Sequence, residues 1–138
     1  MKDVLRTVLA VIGGIVLGGV INMGLVILGG KVIPPPAGVN VADPESLKAS
    51  MHLFQPIHFL FPFLAHALGT LTGAWVAALI SRSWQLLPGV IVGAFFLLGG
   101  IANVWMLPAP FWFEAADLLL AYIPMGWLGA RLAGKIQN

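Results

Sequence analysis

The chain contains no cysteine and very little charge, and both absences narrow its class. Without cysteine there is no disulfide framework, no thiol nucleophile and no cysteine-ligated metal. Only 9% of the residues are charged and 59% are hydrophobic, whereas soluble domains are roughly a quarter charged. A soluble globular domain is therefore excluded. Basic and aromatic residues are not interleaved on a polar face, so nucleic acid is not expected as a partner.

Familiar catalytic and cofactor motifs are also missing. The sequence has no G-x-S-x-G, no H-E-x-x-H, no phosphate-binding loop and no dinucleotide fingerprint. His58 and His66 are too far apart for a metal pair on one helix, which needs a spacing of three or four residues. We therefore predict no metal and no cofactor. An enzyme is less favoured than a binding or structural protein, because no nucleophile can be paired with a base.

Long uncharged runs stand where a soluble protein would carry charge. They cover 7–30, 49–81 and 83–113, and each exceeds the ~20 residues with which a helix crosses the hydrocarbon layer. Together with the apolar stretch after Asp117 they predict four membrane spans, at about 5–29, 56–80, 86–107 and 111–133. The fourth span is the weakest, because its first turns must include Glu114 and Asp117. We interpret the first as a retained span, since it is about twice as long as the apolar region of a signal peptide.

The connections predict how these spans are arranged. The longest loop, 31–50, contains three successive prolines and the sequence DPES, which predicts the capped start of a short helix. The other connections are short, so neighbouring spans should be antiparallel. We expect an all-α protein whose residues 1–138 form a single integral membrane domain, an antiparallel bundle of four transmembrane helices.

Basic residues predict the orientation of the bundle in the lipid bilayer. Five of them fall on one side of the four spans: Lys2, Arg6, Arg82, Arg131 and Lys135. Lys31 and Lys48 fall on the other side. The positive-inside rule then places both termini in the cytoplasm and loop 31–50 outside.

Small residues recur at every fourth position in each predicted span. The ladders are Ala10, Gly14 and Gly18; Ala65, Gly69, Gly73 and Ala77; Gly89 and Gly93; and Gly126, Ala130 and Gly134. In lipid, such ladders allow helix backbones to approach closely. We expect a compact bundle, with any surplus ladder available for a homodimer contact.

A few polar residues fall within or beside the predicted spans and are the candidates for an unknown small ligand. They are Asn22, His66, Asn103 and Asp117, with Glu114 and His58 nearer the outer surface. A buried carboxylate needs a partner or water, and an imidazole beside it would make a proton site. Two interpretations stay open: an outward-facing polar pocket for small-ligand or proton binding or translocation, and a structural or accessory subunit whose polar side chains join helices. Glu114 fits equally well as a favourable charge at a helix start.

Two segments carry a resemblance to known proteins. HFLFPFLAHALGTLTGAWVAALI and FFLLGGIANVWMLPAPFWFEAADLLLAYIPMGWLGARLAG resemble segments of uncharacterised short bacterial inner-membrane proteins with four spans. The resemblance implies a multi-pass protein of the bacterial inner membrane. It brings no functional residues with it.

Overall fold

Helices form all the regular structure of the described residues. The computed structural model describes residues 1–82 and 84–137. In chain order the helices are α1 (Lys2–Val32), α2 (Pro44–Ser50), α3 (Leu60–Ser81), α4 (Leu86–Met106), α5 (Phe111–Leu120) and α6 (Ile123–Gln137). Two 3₁₀ turns, Met51–Leu53 and Pro56–Phe59, precede α3. The all-α prediction is confirmed.

The two longest helices, α1 and α3, lie side by side and run in opposite directions. Thr7, near the start of α1, is hydrogen-bonded to Ser81 at the end of α3, with 2.8 Å between the two hydroxyl oxygens. Gly29, near the end of α1, packs against Phe61 at the start of α3. We call the end of the bundle that carries α2 the upper end, and the end that carries residue 1 and the 82–85 connection the lower end.

The segment before α3 follows the pattern that its prolines impose. Asp43 caps α2, as DPES predicted, by accepting a hydrogen bond from the Glu45 backbone N–H at 3.3 Å. Pro62 lies in the first turn of α3 and has no N–H to donate to the carbonyl of His58. The chain therefore enters α3 through a 3₁₀ turn, and the α-helical part of the second predicted span begins at Leu60 instead of residue 56.

Among the described residues, three helical stretches are long and apolar enough to cross a membrane: Lys2–Val32, Pro56–Ser81 and Leu86–Met106. The fourth predicted span, 111–133, is not one helix, because α5 ends at Leu120 and α6 begins at Ile123. Pro124 is the physical reason, since it cannot donate to the Leu120 carbonyl. The backbone ladder ends where the Ala121 N–H donates to the Asp117 carbonyl, at 2.9 Å, and a new one starts at Tyr122.

The small-residue ladders of α1 and α3 meet each other. A Cβ added at Gly14 would lie 2.5 Å from the Gly73 carbonyl oxygen, and one added at Gly18 would lie 2.6 Å from that of Gly69. Neither distance leaves room for a side chain, so the two backbones are in direct contact. The close helix packing that the ladders predicted is confirmed for this pair.

The ladders of α4 and α6 form a second contact of the same kind. A Cβ added at Gly126 would lie 2.6 Å from the Gly89 carbonyl oxygen, and one at Gly89 would lie 2.6 Å from the Ala130 Cβ. These four-residue ladders are thus used between helices of one chain. A homodimer stays a prediction.

The distribution of side-chain sizes is the reverse of that in a soluble protein. Nine of the thirteen buried hydrophobic residues are alanines, and Val92 is one of the few larger ones. Large aliphatic side chains such as Leu98 and Val20 point outwards and are more than 60% exposed. Packing of small residues holds the helices together, and a wide apolar surface is left on the outside.

Candidate functional site

Three side chains from different parts of the chain form a hydrogen-bonded triad around one carboxylate. His66 Nδ1 lies 2.8 Å from Asp117 Oδ1 and 3.0 Å from Oδ2. The Tyr122 hydroxyl donates to Asp117 Oδ2 at 2.7 Å. Asp117 is 5% exposed, so its bonding is met by protein groups. A carboxylate only accepts hydrogen bonds, so His66 Nδ1 carries a proton in this arrangement.

The elements that hold the triad come together because α5 is interrupted. His66 lies in the upper half of α3, and Asp117 lies in the last turn of α5. Tyr122 falls in the two-residue break that follows α5, and its ring packs against Gly100 of α4. A continuous helix would have turned the tyrosine to another face. The interruption lets the two residues, five apart in sequence, meet at one point.

A cavity of about 240 Å³ lies beside the triad among α1, α3 and α4. We call it the polar cavity. Most of the side chains that line it carry hydrogen-bonding groups: Asn22, His66, Thr70, Asn103 and Tyr122. Phe96 and two glycines complete the lining. Asp117 lies behind His66 and Tyr122 and does not line the cavity itself.

Several hydrogen-bonding atoms of these lining residues have no partner. Asn22 Oδ1 and Thr70 Oγ1 are buried and make no hydrogen bond with any described residue. Thr70 is 1% exposed, which makes an unpartnered hydroxyl costly, because a buried polar group without a bond loses about 1–3 kcal/mol. His66 uses only Nδ1, so Nε2 is also without a partner among the described residues. Together these atoms offer a small polar molecule several bonds.

The structure brings four of the six predicted site residues together and leaves two apart. Asn22, His66 and Asn103 line the polar cavity, and Asp117 is bonded to His66 behind it. Glu114 accepts a hydrogen bond from the Ala109 backbone N–H at 2.9 Å, in the connection that leads into α5. Glu114 therefore has a local role beside the start of α5, which agrees with the second of the two interpretations given for it from the sequence.

His58 lies above the polar cavity. Its Nδ1 accepts a hydrogen bond from the Gln55 N–H at 2.9 Å, and its ring packs edge-on against Phe54 with 5.4 Å between centroids. It lines a second, more apolar cavity near the upper end. The structure therefore gives His58 a part in the turn before α3, away from the triad.

Two residues of the site were missed from the sequence. Tyr122 is the only tyrosine of the chain, and its position five residues after Asp117 and two before Pro124 was the available signal. Thr70 lies one helical turn after His66, on the same face of α3. Threonine is common in helices, where its hydroxyl often bonds the preceding turn, so its type alone gave no signal.

The arrangement of an imidazole on a buried carboxylate is suited to holding a proton. No group of three or more His, Cys, Asp or Glu side chains is close enough to hold a metal within the described ranges, 1–82 and 84–137. An imidazole held at Nδ1 by a carboxylate can accept or release a proton at Nε2. The carboxylate balances the positive charge of the imidazolium form. A comparison with protein families, with curated proteins and with solved structures finds no match to this chain.

Proposed function

We propose that this protein is a small integral membrane protein that binds a small polar ligand or a proton at His66, in an intramembrane cavity that faces the outside. In this proposal α1, α3 and α4 cross the membrane as single helices, and α5 and α6 cross it together. The membrane is the bacterial inner membrane, and both termini lie in the cytoplasm. The upper end of the bundle then faces outwards.

The membrane setting is supported by the side chains that the fold leaves outside. Large aliphatic residues cover the exposed surface while alanine and glycine fill the interior, as suits helices that associate in lipid. Arg6, Arg82 and Lys135 belong to the lower end and agree with a cytoplasmic location under the positive-inside rule.

The binding proposal rests on one observation, that only one of the two ring nitrogens of His66 is hydrogen-bonded within the protein. Asp117 engages Nδ1, and Nε2 remains without a partner on a side chain that lines the polar cavity. The side chain of His66 is 19% exposed, whereas that of Asp117 is 7% exposed. A molecule in the cavity therefore meets the imidazole, and the carboxylate acts through it.

The energetic cost of the carboxylate also favours a role beyond packing. Placing a carboxylate at the centre of a bilayer costs about 2.5–3.5 kcal/mol on insertion scales. The bonds from His66 and Tyr122 offset part of this cost.

Binding is better supported than translocation by the packing below the cavity. Phe96 and Gly18 are in close contact at its floor, where a Cβ added to the glycine would lie 2.9 Å from the ring. Further down, Ala74, Ala77 and Val92 have no exposed surface. This apolar packing favours a site that opens to one side, and therefore favours binding over translocation.

Chemical modification of His66 tests the proposal. Diethyl pyrocarbonate acylates unprotonated imidazole nitrogens, and peptide mass spectrometry locates the product. In lipid nanodiscs we expect the external reagent to modify His66 through Nε2, with the exposed His52 as internal reference. Gly99→Leu should slow the modification, because Gly99 lines the polar cavity and has open space for a side chain.

The matched control is Gly13→Leu, which adds the same side chain on α1 where nothing lies within 4 Å. It should leave the ratio of His66 to His52 modification unchanged. If His66 stays unmodified while His52 reacts fully, or if both leucine variants react like the wild type, the cavity does not admit molecules from outside and the proposal fails.

The second candidate function is a structural or accessory membrane subunit in which the triad serves only to join helices. One observation favours it: the bonds of Asp117 tie α3 to α5 and to the break before α6. Under this alternative, His66→Ala and Asp117→Asn would lower stability strongly. Under the binding proposal these variants stay folded in detergent and lose the binding of small molecules at the site.

A further inference from the structure

A second cavity of about 340 Å³ adjoins the polar cavity towards the upper end. We call it the apolar cavity. Most of its lining side chains are aliphatic, aromatic or proline, among them Pro35, Leu47, Phe54, Phe61 and Phe113. His66 and Asn103 line both cavities, so the two spaces meet at these residues.

The size of each cavity indicates that a single ligand would use both. Small-molecule sites commonly enclose about 300–1,000 Å³. The polar cavity, at about 240 Å³, falls below this range, and the apolar cavity, at about 340 Å³, lies near its lower limit. A single molecule can fill both cavities only if it passes between His66 and Asn103, with a polar part in the polar cavity and an apolar part in the apolar cavity.

The polar cavity selects a particular head group. Asn22 Oδ1 can only accept a hydrogen bond, and the unprotonated Nε2 of His66 also accepts. Thr70 Oγ1 can do either. A head group with an O–H can donate to one of the two acceptors and accept from Thr70 Oγ1, whereas a head that only accepts leaves both acceptors without a bond.

The head group should also be uncharged. Apart from the histidines, none of the described residues that line the two cavities is ionised at neutral pH. The Asp117 carboxylate lies behind His66 and repels an anion. With His66 neutral, a charged head of either sign would enter without an opposite charge on the cavity lining to pair with, at a high desolvation cost.

We infer that the two adjoining cavities bind one uncharged, single-tailed amphipathic molecule, with a hydroxyl-bearing head on His66 and its apolar tail in the apolar cavity. This inference rests on the proposed function, because it assigns the class of ligand to the same site. Membrane quinols and long-chain alcohols share this chemistry, and the experiment distinguishes them.

The experiment uses probes that separate the head from the tail. The protein, with ¹³Cε1-labelled histidine, is placed in nanodiscs, and the chemical shift of His66 is followed by NMR. We expect 4-octylphenol to shift this signal with saturation, and octylbenzene, which has the tail but no hydroxyl, to leave it unchanged. 1-Dodecanol is tested beside 4-octylphenol. Saturation by the phenol alone assigns a quinol-like ligand, and saturation by the alcohol assigns an aliphatic one.

A matched pair of glycine variants tests the tail. Gly30 lines the apolar cavity and has open space for a Cβ, so Gly30→Leu fills this cavity without displacing neighbours. We expect the saturating concentration of 4-octylphenol to rise by about tenfold or more, as overpacking of a filled site implies. The tail-less 4-methylphenol should be unaffected. Gly24→Leu, on the same helix and also open, should behave like the wild type for both probes.

The outcomes separate this inference from the proposed function. Equal responses to octylbenzene and 4-octylphenol would show that the head is not recognised, and equal effects of Gly30→Leu on both phenols would show that the tail is not. Either result, or no saturation by any hydroxyl-bearing probe, overturns the amphipathic ligand. The proposed function would stand as long as His66 reacts with diethyl pyrocarbonate in the manner described above, because that reaction needs only the polar cavity.

Discussion

Replacing Tyr122 with phenylalanine removes one hydrogen bond from Asp117 and changes little else. The ring keeps its contact with Gly100, and only the hydroxyl, 2.7 Å from Asp117 Oδ2, is lost. A hydrogen bond to a charged group contributes about 1.5–3 kcal/mol in soluble proteins. Within membrane helices measured bonds average about 0.6 kcal/mol and reach about 1.7. We therefore expect Tyr122→Phe to lower the free energy of unfolding by about 1–2 kcal/mol.

Asp117→Asn supplies the second side of a double-mutant cycle. Its amide can accept from only one of the two donors, His66 Nδ1–H and Tyr122 O–H, and its NH₂ group faces the other. An unpaired donor costs about 1–3 kcal/mol. In the double variant the tyrosine hydroxyl is already gone, so the asparagine can turn its oxygen to His66. The double variant should therefore lose about 1 kcal/mol less stability than the sum of the two single losses.

The assay is reversible unfolding in mixed micelles of dodecylmaltoside and sodium dodecyl sulfate, followed by far-ultraviolet circular dichroism. Equal helix content of all variants before unfolding is the control that the fold is retained. Two results would refute the reasoning: a Tyr122→Phe variant as stable as the wild type, or losses that add within about 0.3–0.5 kcal/mol, which is the behaviour of independent sites.

Two further predictions concern the packing of α1 against α3. Gly73→Ala should lower the free energy of unfolding by about 1–3 kcal/mol, because its Cβ would lie against the Gly14 carbonyl oxygen. The control, Gly13→Ala, places its Cβ in open space and should leave this free energy unchanged. Equal effects of the two substitutions in the same unfolding assay would contradict the close contact. Thr7→Val should cost about 0.5–1.5 kcal/mol through its lost bond with Ser81. Adding Ser81→Ala to Thr7→Val should lower the free energy of unfolding little further. Fully additive losses would show that the two hydroxyls act independently.

The regular part of the fold could be predicted because periodicity and length determine it. The four-residue ladders predicted close helix packing, and α1 packs on α3 through two of their members, Gly14 and Gly73. Hydropathy located the long helices to within a few residues, with α4 at Leu86–Met106 against an expected 86–107. These features depend on neighbouring residues in one helix, and a sequence displays them directly.

The fourth segment was harder, because its shape depends on a single missing N–H. On one continuous helix, Asp117 would lie about 180° from Gly126, away from the small-residue face. The break at 121–122 changes this phase, and Asp117 is buried against His66. Pro124 indicated that a kink was allowed, but neither its extent nor the new direction of α6 can be read from the sequence.

The site itself was predicted in part. Rare polar residues in apolar stretches stand out, so His66, Asp117 and Asn103 could be named from composition. Thr70 could not, because threonine is common in helices and its role depends on which face meets the cavity. Tyr122 offered only the signal of its position between Asp117 and Pro124. Whether His66 contacts Asp117 was likewise undetermined, since 51 residues of chain separate them.

The division of the last segment into α5 and α6 has a consequence for how the protein assembles. At 1.5 Å per residue, the 10 residues of α5 and the 15 of α6 span about 15 and 22 Å, and neither alone crosses a ~30 Å hydrocarbon layer. In the proposed membrane setting this segment would enter the lipid poorly by itself, since it carries Asp117 and Arg131. Its partners are on α3 and α4, which are made earlier during synthesis. The Asp117 carboxylate would then join the site after the groups on α3 and α4 are in place. The hydrogen bonds that complete the site would also retain the final segment in the membrane.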